Sequence, residues 1–135
     1  MADVQFTDNS VQVKGALEDA VLQWLEESAN EIQSAAERNS DFAPRSLKGG
    51  WKHIVDENKK VATVGHPAQL AIWMEFGTGE YAINGDGRKG GWAYVDEEGN
   101  RHFTMGKKPS RAMWNAYTSL KSKIIKHIQD SLKGL

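Results

Sequence analysis

The 135-residue chain contains no cysteine. Disulfides, thiolate metal centres and cysteine nucleophiles are therefore excluded. It has no apolar run long enough to span a bilayer. Its first fifteen residues carry no signal-peptide core, so synthesis and folding in the cytosol are expected. Its four histidines, His53, His66, His102 and His127, match no metal-binding spacing. No Gly-x-Ser-x-Gly elbow or paired-carboxylate spacing stands out either. The glycine-rich Gly85-Asp86-Gly87-Arg88-Lys89-Gly90-Gly91 makes a poor phosphate cradle. Lys89 is followed by two glycines and a strand-like run, not by Ser or Thr entering a helix. These absences argue against catalysis. No catalytic, cofactor-binding or metal-ligating residue is expected, and no small-molecule substrate.

What is present is ordinary in bulk. With 39% hydrophobic and 26% charged residues, the composition is that of one soluble domain spanning residues 1–135. Five tryptophans (Trp24, Trp51, Trp73, Trp92 and Trp114) fall one to each expected element and read as a shared aromatic core. The net charge of −1 conceals a polarity. Residues 1–83 hold 7 basic and 13 acidic side chains, whereas residues 84–135 hold 10 and 5. Such a chain can set the acidic face of one copy against the basic face of another. The alternative is two solvated helical faces that merely differ.

Periodicity then orders the chain. Val4/Phe6 and Val11/Val13 alternate around Thr7-Asp8-Asn9-Ser10, which suggests a short hairpin or a loose arm. From Ala16 the period becomes helical. Leu17, Val21, Trp24, Leu25, Ser28, Ile32 and Ala35 form an apolar stripe that ends near residue 38. The small residues Ala20, Ser28, Ala29, Ala35 and Ala36 would let this helix lie close to a sheet. Pro44, Gly49 and Gly50 mark a loop, and strands are expected over 51–55 and 60–64. A short helix over 67–76 should open at Pro67 and close at Gly77. Trp92–Val95 and Arg101–Met105 flank a hairpin turn. Pro109 should open the last helix, whose apolar face runs through Met113, Ala116, Tyr117, Leu120, Ile124, Ile128 and Leu132. The expected class is α+β: two long amphipathic helices, about 16–38 and 109–132, on a small antiparallel sheet of three to five strands.

Two functional readings follow from the residues alone. Glycines at 77, 79, 85, 87, 90 and 91 make residues 78–91 costly to order in isolation. An extended glycine-rich loop of this kind reads as one that a partner or a neighbouring copy fixes. Alternatively, Arg88, Lys89, Arg101, Lys107, Lys108 and Arg111, with Trp92 and Trp114 nearby, suggest a small accessory protein that contacts DNA. A pI near 6.4 argues against a dedicated nucleic-acid binder, though not against contact with DNA passing through an assembly.

Met74-Glu75-Phe76-Gly77-Thr78-Gly79, following Gly49-Gly50-Trp51 and a strand pair, precedes Gly106-Lys107-Lys108-Pro109-Ser110-Arg111-Ala112-Met113 at the start of a last helix. In this order the chain resembles the small tail components of long-tailed bacteriophages, the family that completes the tail tube or joins it to the head. The likeness runs from about residue 16 to 132. It implies a ring-forming virion protein, such as a hexamer, that touches neighbouring tail or neck proteins and uses no cofactor. It also implies synthesis in the cytoplasm of an infected bacterium or from a prophage. The subunit or partner interface expected on this basis is Glu75, Phe76, Gly77, Thr78, Gly79, Arg88, Lys89, Lys107, Lys108 and Arg111. Glu75 should either salt-bridge within the subunit or hydrogen-bond loop amides.

Overall fold

The computed structural model describes residues 8–40 and 45–134. Helix α1 spans Ser10–Asn39 and a single helical turn, α2, spans Arg45–Lys48. Strands β1 (Lys52–Asp56) and β2 (Val61–Gly65) follow, then helix α3 (Gln69–Phe76). After a 3-10 turn at Gly79–Tyr81 come β3 (Trp92–Val95), β4 (Arg101–Thr104) and helix α4 (Ala112–Lys133). The class is α+β. The four strands do not join in one sheet. β1 pairs only with β2, and β3 only with β4, as two separate antiparallel hairpins.

The first expectation to fall is the N-terminal hairpin. Val11 and Val13 lie in the opening turn of α1, which begins at Ser10 and not near Ala16. Asp8 Oδ1 accepts the Ser10 N–H at 2.9 Å, and the Val13 N–H donates to the Asn9 carbonyl at 3.0 Å. Good helix formers at Gln12, Lys14, Ala16, Leu17 and Glu18 outweigh two valines in that turn. Val4 and Phe6 lie outside the described residues.

Helices α1 and α4 run antiparallel. Asn39 Nδ2 donates to the Ala112 carbonyl at one end of the pair, and Trp24 Nε1 donates to the Ile124 carbonyl further along. Ala35, Ala36, Ala112 and Ala116 meet between the helices, with Ala36 and Ala116 fully buried. Small side chains let the two backbones approach, so the close packing forecast for a sheet serves a helix pair as well. Trp51 closes this cluster. Its indole N–H donates to Ser40 Oγ, whose hydroxyl donates in turn to the Ala36 carbonyl. The β1–β2 hairpin lies against α1, where the two ring nitrogens of His53 meet Gln33 and Glu26.

The aromatic core expected from five tryptophans is absent. Trp51 alone is buried, while Trp73 and Trp114 are about half exposed. On α4, Ala116 is buried and Leu120, Ile124 and Ile128 are partly buried as read, but Tyr117 and Leu132 face outward. The three partly buried residues therefore stabilise the fold less than full burial would.

The β3–β4 turn is organised by Asp96. Its Oδ1 accepts the N–H groups of Glu98 and Asn100, and its Oδ2 meets His102 Nε2 at 2.7 Å. The His102 hydrogen bond, with the Asn100 backbone bond after it, holds this carboxyl below its ordinary 3.8. The folded value lies below the unfolded one, so the turn's stabilisation is complete above about pH 3.8 and is lost as pH falls through the lower folded value. The protection of the Glu98 and Asn100 amides, taken relative to the intrinsic exchange rate at each pH, should therefore hold down to about pH 4 and fall only below it. Asp96→Asn should remove that onset, because the amide side chain does not titrate.

The α1–α4 contact supplies a second test. Ala116→Leu forces extra methylenes between two closely apposed backbones and should cost about 1–3 kcal/mol. Thermal unfolding should show a clear drop for Ala116→Leu and almost none for Ser122→Leu on the exposed face.

Candidate assembly surface

The segment from Met74 to Gly79 is built into the start of α4. Glu75 reaches out of α3 and accepts two backbone N–H groups at once. Met113 N–H donates to Oε2 and Trp114 N–H to Oε1, each at 2.9 Å. Those amides are the second and third of α4, which have no partner within their own helix. A capping carboxylate is normally supplied by the helix's own N-cap residue. Here the N-cap is Arg111, which makes no side-chain cap, and an acid 36 positions upstream of it takes its place. The positive end of the α4 dipole favours the negative charge as well. Of the two roles open to Glu75, amide capping is the dominant one, and the amides belong to α4, not to the loop. Arg111 Nε stands 4.0 Å away, at the limit of an ion pair.

The rest of the segment ties down the approach to α4. The Met74 carbonyl accepts both the N–H and the hydroxyl of Ser110. That clamp holds Pro109 and Ser110 outside the helix, so α4 begins at Ala112 and Pro109 does not open it. Similarly, α3 begins at Gln69 with Ala68 as its cap, two residues beyond Pro67. Arg111 adopts a left-handed conformation at φ 56°. Its guanidinium lies 5.4 Å from the Phe76 ring centroid and 5.2 Å from that of Trp114. Paired cation–π contacts of this kind offset part of the backbone strain.

The glycine-rich loop does not extend. Thr78 exchanges two hydrogen bonds with Lys107: its N–H donates to the Lys107 carbonyl, and its hydroxyl oxygen accepts the Lys107 N–H, both at 2.9 Å. Glu80 N–H donates to the Met105 carbonyl, and Ile83 N–H returns to the Phe76 carbonyl. Glu80 Oε1 also accepts the Gly90 N–H. Glycine is needed for close approach at Gly79 and Gly106. A Cβ on Gly79 would overlap the Met105 carbonyl, and one on Gly106 the Thr78 carbonyl. Reading the glycines as an ordering cost that a partner meets missed that Gly79 and Gly106 let two backbone segments touch.

The ten expected interface residues thus divide. Glu75, Gly77, Thr78 and Gly79 hold the subunit together internally, and Gly79 is buried. Phe76 and Arg111 sit at the rim of a groove. Arg88 lies over Trp92, Lys108 over Tyr81, and Lys89 stands 3.6 Å from Glu80. Lys107 belongs to the backbone clasp with Thr78.

What sequence reasoning overlooked is apolar. In α3 every residue but Gln69 and Glu75 is apolar, and a helix apolar on all sides is one that expects cover on all sides. Ala71 and Met74 point inward, but Ile72 is 58% exposed, and Trp73 and Phe76 are exposed too. Trp114 and Tyr117 on α4 extend the same surface. Between them runs an open groove of about 730 Å³, floored by Ile32, Trp51, Val64 and Met113. Total accessible surface is 9899 Å², against about 7,000 Å² for a compact folded monomer of this mass. The missed signal was the composition of Leu70 to Phe76, which was read only as a short helix.

No helix among the described residues is long and apolar enough to cross a membrane. Among the same residues, no three His, Asp or Glu side chains converge as a metal set. No protein-family model, curated protein or solved structure matches the chain.

The Glu75 cap makes a direct prediction. Glu75→Gln keeps the shape but leaves one acceptor oxygen for two amides and removes the charge. It should cost about 2 kcal/mol and lower the melting temperature by roughly 6–10 °C. Hydrogen exchange at Met113 and Trp114 should rise before that of the α4 interior.

Proposed function

We propose that the chain is a structural subunit of a bacteriophage or prophage tail or neck, acting in tail completion or head–tail joining by assembling into a ring. The observation that carries the reading is the uncovered apolar surface of Ile72, Trp73, Phe76, Trp114 and Tyr117. It surrounds an open groove on a chain with a small, alanine-rich core. A contiguous apolar surface of that kind marks a protein–protein contact. The order of the Glu-Phe-Gly-Thr segment and the Gly-Lys-Lys-Pro helix approach supplies the resemblance to tail components. The two motifs meet in space, where Glu75 and Thr78 bond Met113, Trp114 and Lys107. On this reading the role is non-catalytic, the site is the virion, and the subunit is made in the bacterial cytoplasm.

A DNA-contacting role has less support. Lys89 stands 3.6 Å from Glu80, which offsets part of its charge, and Arg111 Nε stands 4.0 Å from Glu75. Sedimentation velocity from micromolar to near-millimolar protein, with negative-stain images of the heaviest species, tests the assembly reading. The expected outcome is concentration-dependent oligomers that include closed rings. A monomer at every concentration, together with a duplex-DNA gel shift that weakens steeply with salt, would transfer support to the DNA reading.

A further inference from the structure

The two longest helices do not match in length. α1 has 30 residues and α4 has 22, so α1 is longer by about 12 Å. Their pairing begins at Asn39 with Ala112 and continues through Glu31 with Lys123 and Glu27 with His127. It ends where Ala20 and Gln23 border His127 and Ser131. Residues 10–19 of α1 therefore project past the end of α4, and every one of them is exposed. Val13, Leu17, Ala20 and Trp24 follow one another at helical spacing. The projecting turns thus continue the stripe that α1 packs on α4, with no helix among the described residues left to receive it. Val13 is 59% exposed and Leu17 42%.

At the opposite end of the α1–α4 pair lies the groove of Ile72, Phe76, Trp114 and Tyr117, apolar and also uncovered. A helix that offers apolar residues one turn apart, as Val13 and Leu17 do, is what such a groove accommodates. The charges agree. The projecting turns carry Glu18 and Asp19 against the single Lys14, with Asp8 just ahead of them, whereas Arg111 lines the groove with Lys107 and Lys108 just before it in the chain. Glu75, the acid within the groove, is already held by two amides.

We infer that the occupant of the groove is the N-terminal part of α1, residues 10–19, from a second copy of this chain, with Val13 and Leu17 as its anchors. Each subunit then gives its overhang to one neighbour and receives one from the other. Because donor and acceptor surfaces lie at opposite ends of the subunit, the contact is heterologous, and its repetition closes a ring or runs on as a filament. The inference rests on the self-assembly reading above and specifies its contact.

Two single variants, Leu17→Asp on the overhang and Ile72→Asp in the groove, test it. Both residues are exposed, so both variants should keep the wild-type melting temperature and circular dichroism. Each alone should weaken self-association at least tenfold in sedimentation velocity. Mixed in equal amounts they should form a heterodimer and nothing larger. Leu17→Asp retains an intact groove and Ile72→Asp an intact overhang, so one contact can form but cannot propagate. A mixture that stays monomeric, or a Leu17→Asp variant that assembles like the wild type, would overturn the docking while leaving self-assembly in place. A wild type that stays monomeric throughout would overturn both.

Discussion

The Glu75 carboxylate carries the second and third amides of a helix that starts far downstream, and the arrangement of the fold depends on it. Without that pair of hydrogen bonds the positive end of α4 would present uncapped amides beside an apolar groove. With it, α3 and α4 are fixed to each other at one point. The neighbouring bonds from Ser110 to Met74 and from Lys107 to Thr78 repeat that fixing on both sides. Three consecutive ties make a clasp. A charge-assisted bond is roughly twice as strong as a neutral one, so Glu75 makes the strongest of the three ties.

The clasp has a geometric consequence for the surface. α3 is held by only part of its circumference, through Ala71, Met74 and Glu75, and the remainder is lifted into solvent with Ile72, Trp73 and Phe76 on it. The helix pair beneath is packed through alanines, which bring the backbones close but bury little area per residue. Such a subunit has a tightly made centre and a large apolar exterior.

Much of the fold was legible because its elements obey local rules. The stripes on α1 and α4, the turn at Asp96–Asn100 and the stop at Gly77 are properties of residues within a few positions of one another; the turn and the stop stand where local pattern places them, while α1 begins earlier and α4 later than expected. The errors came from distance. α4 starts at Ala112 because Met74 holds Ser110 outside the helix, and no feature near Pro109 announces a bond to a residue 36 positions away. The four strands pair as two hairpins because β1–β2 lies against α1 while β3–β4 leads into the clasp, and strand pattern says nothing about which hairpin meets which surface. Glycine in residues 77–91 was ambiguous by nature. Freedom in the unfolded chain and close approach in the folded one demand the same residue.

Sequence by itself determined the class of fold and most of the helical faces, and it singled out Glu75, since period, punctuation and residue chemistry are all local quantities. It could not assign Glu75 its partner, separate buried from exposed tryptophans, or tell a core helix from a surface one. Only the tertiary structure decided those. Burial and capping are relations between residues that the chain keeps apart, and their energies exist only once α3 lies against the start of α4. The apolar run from Leu70 to Phe76 has the same composition in either setting; its position on the clasp is what leaves half of it in water.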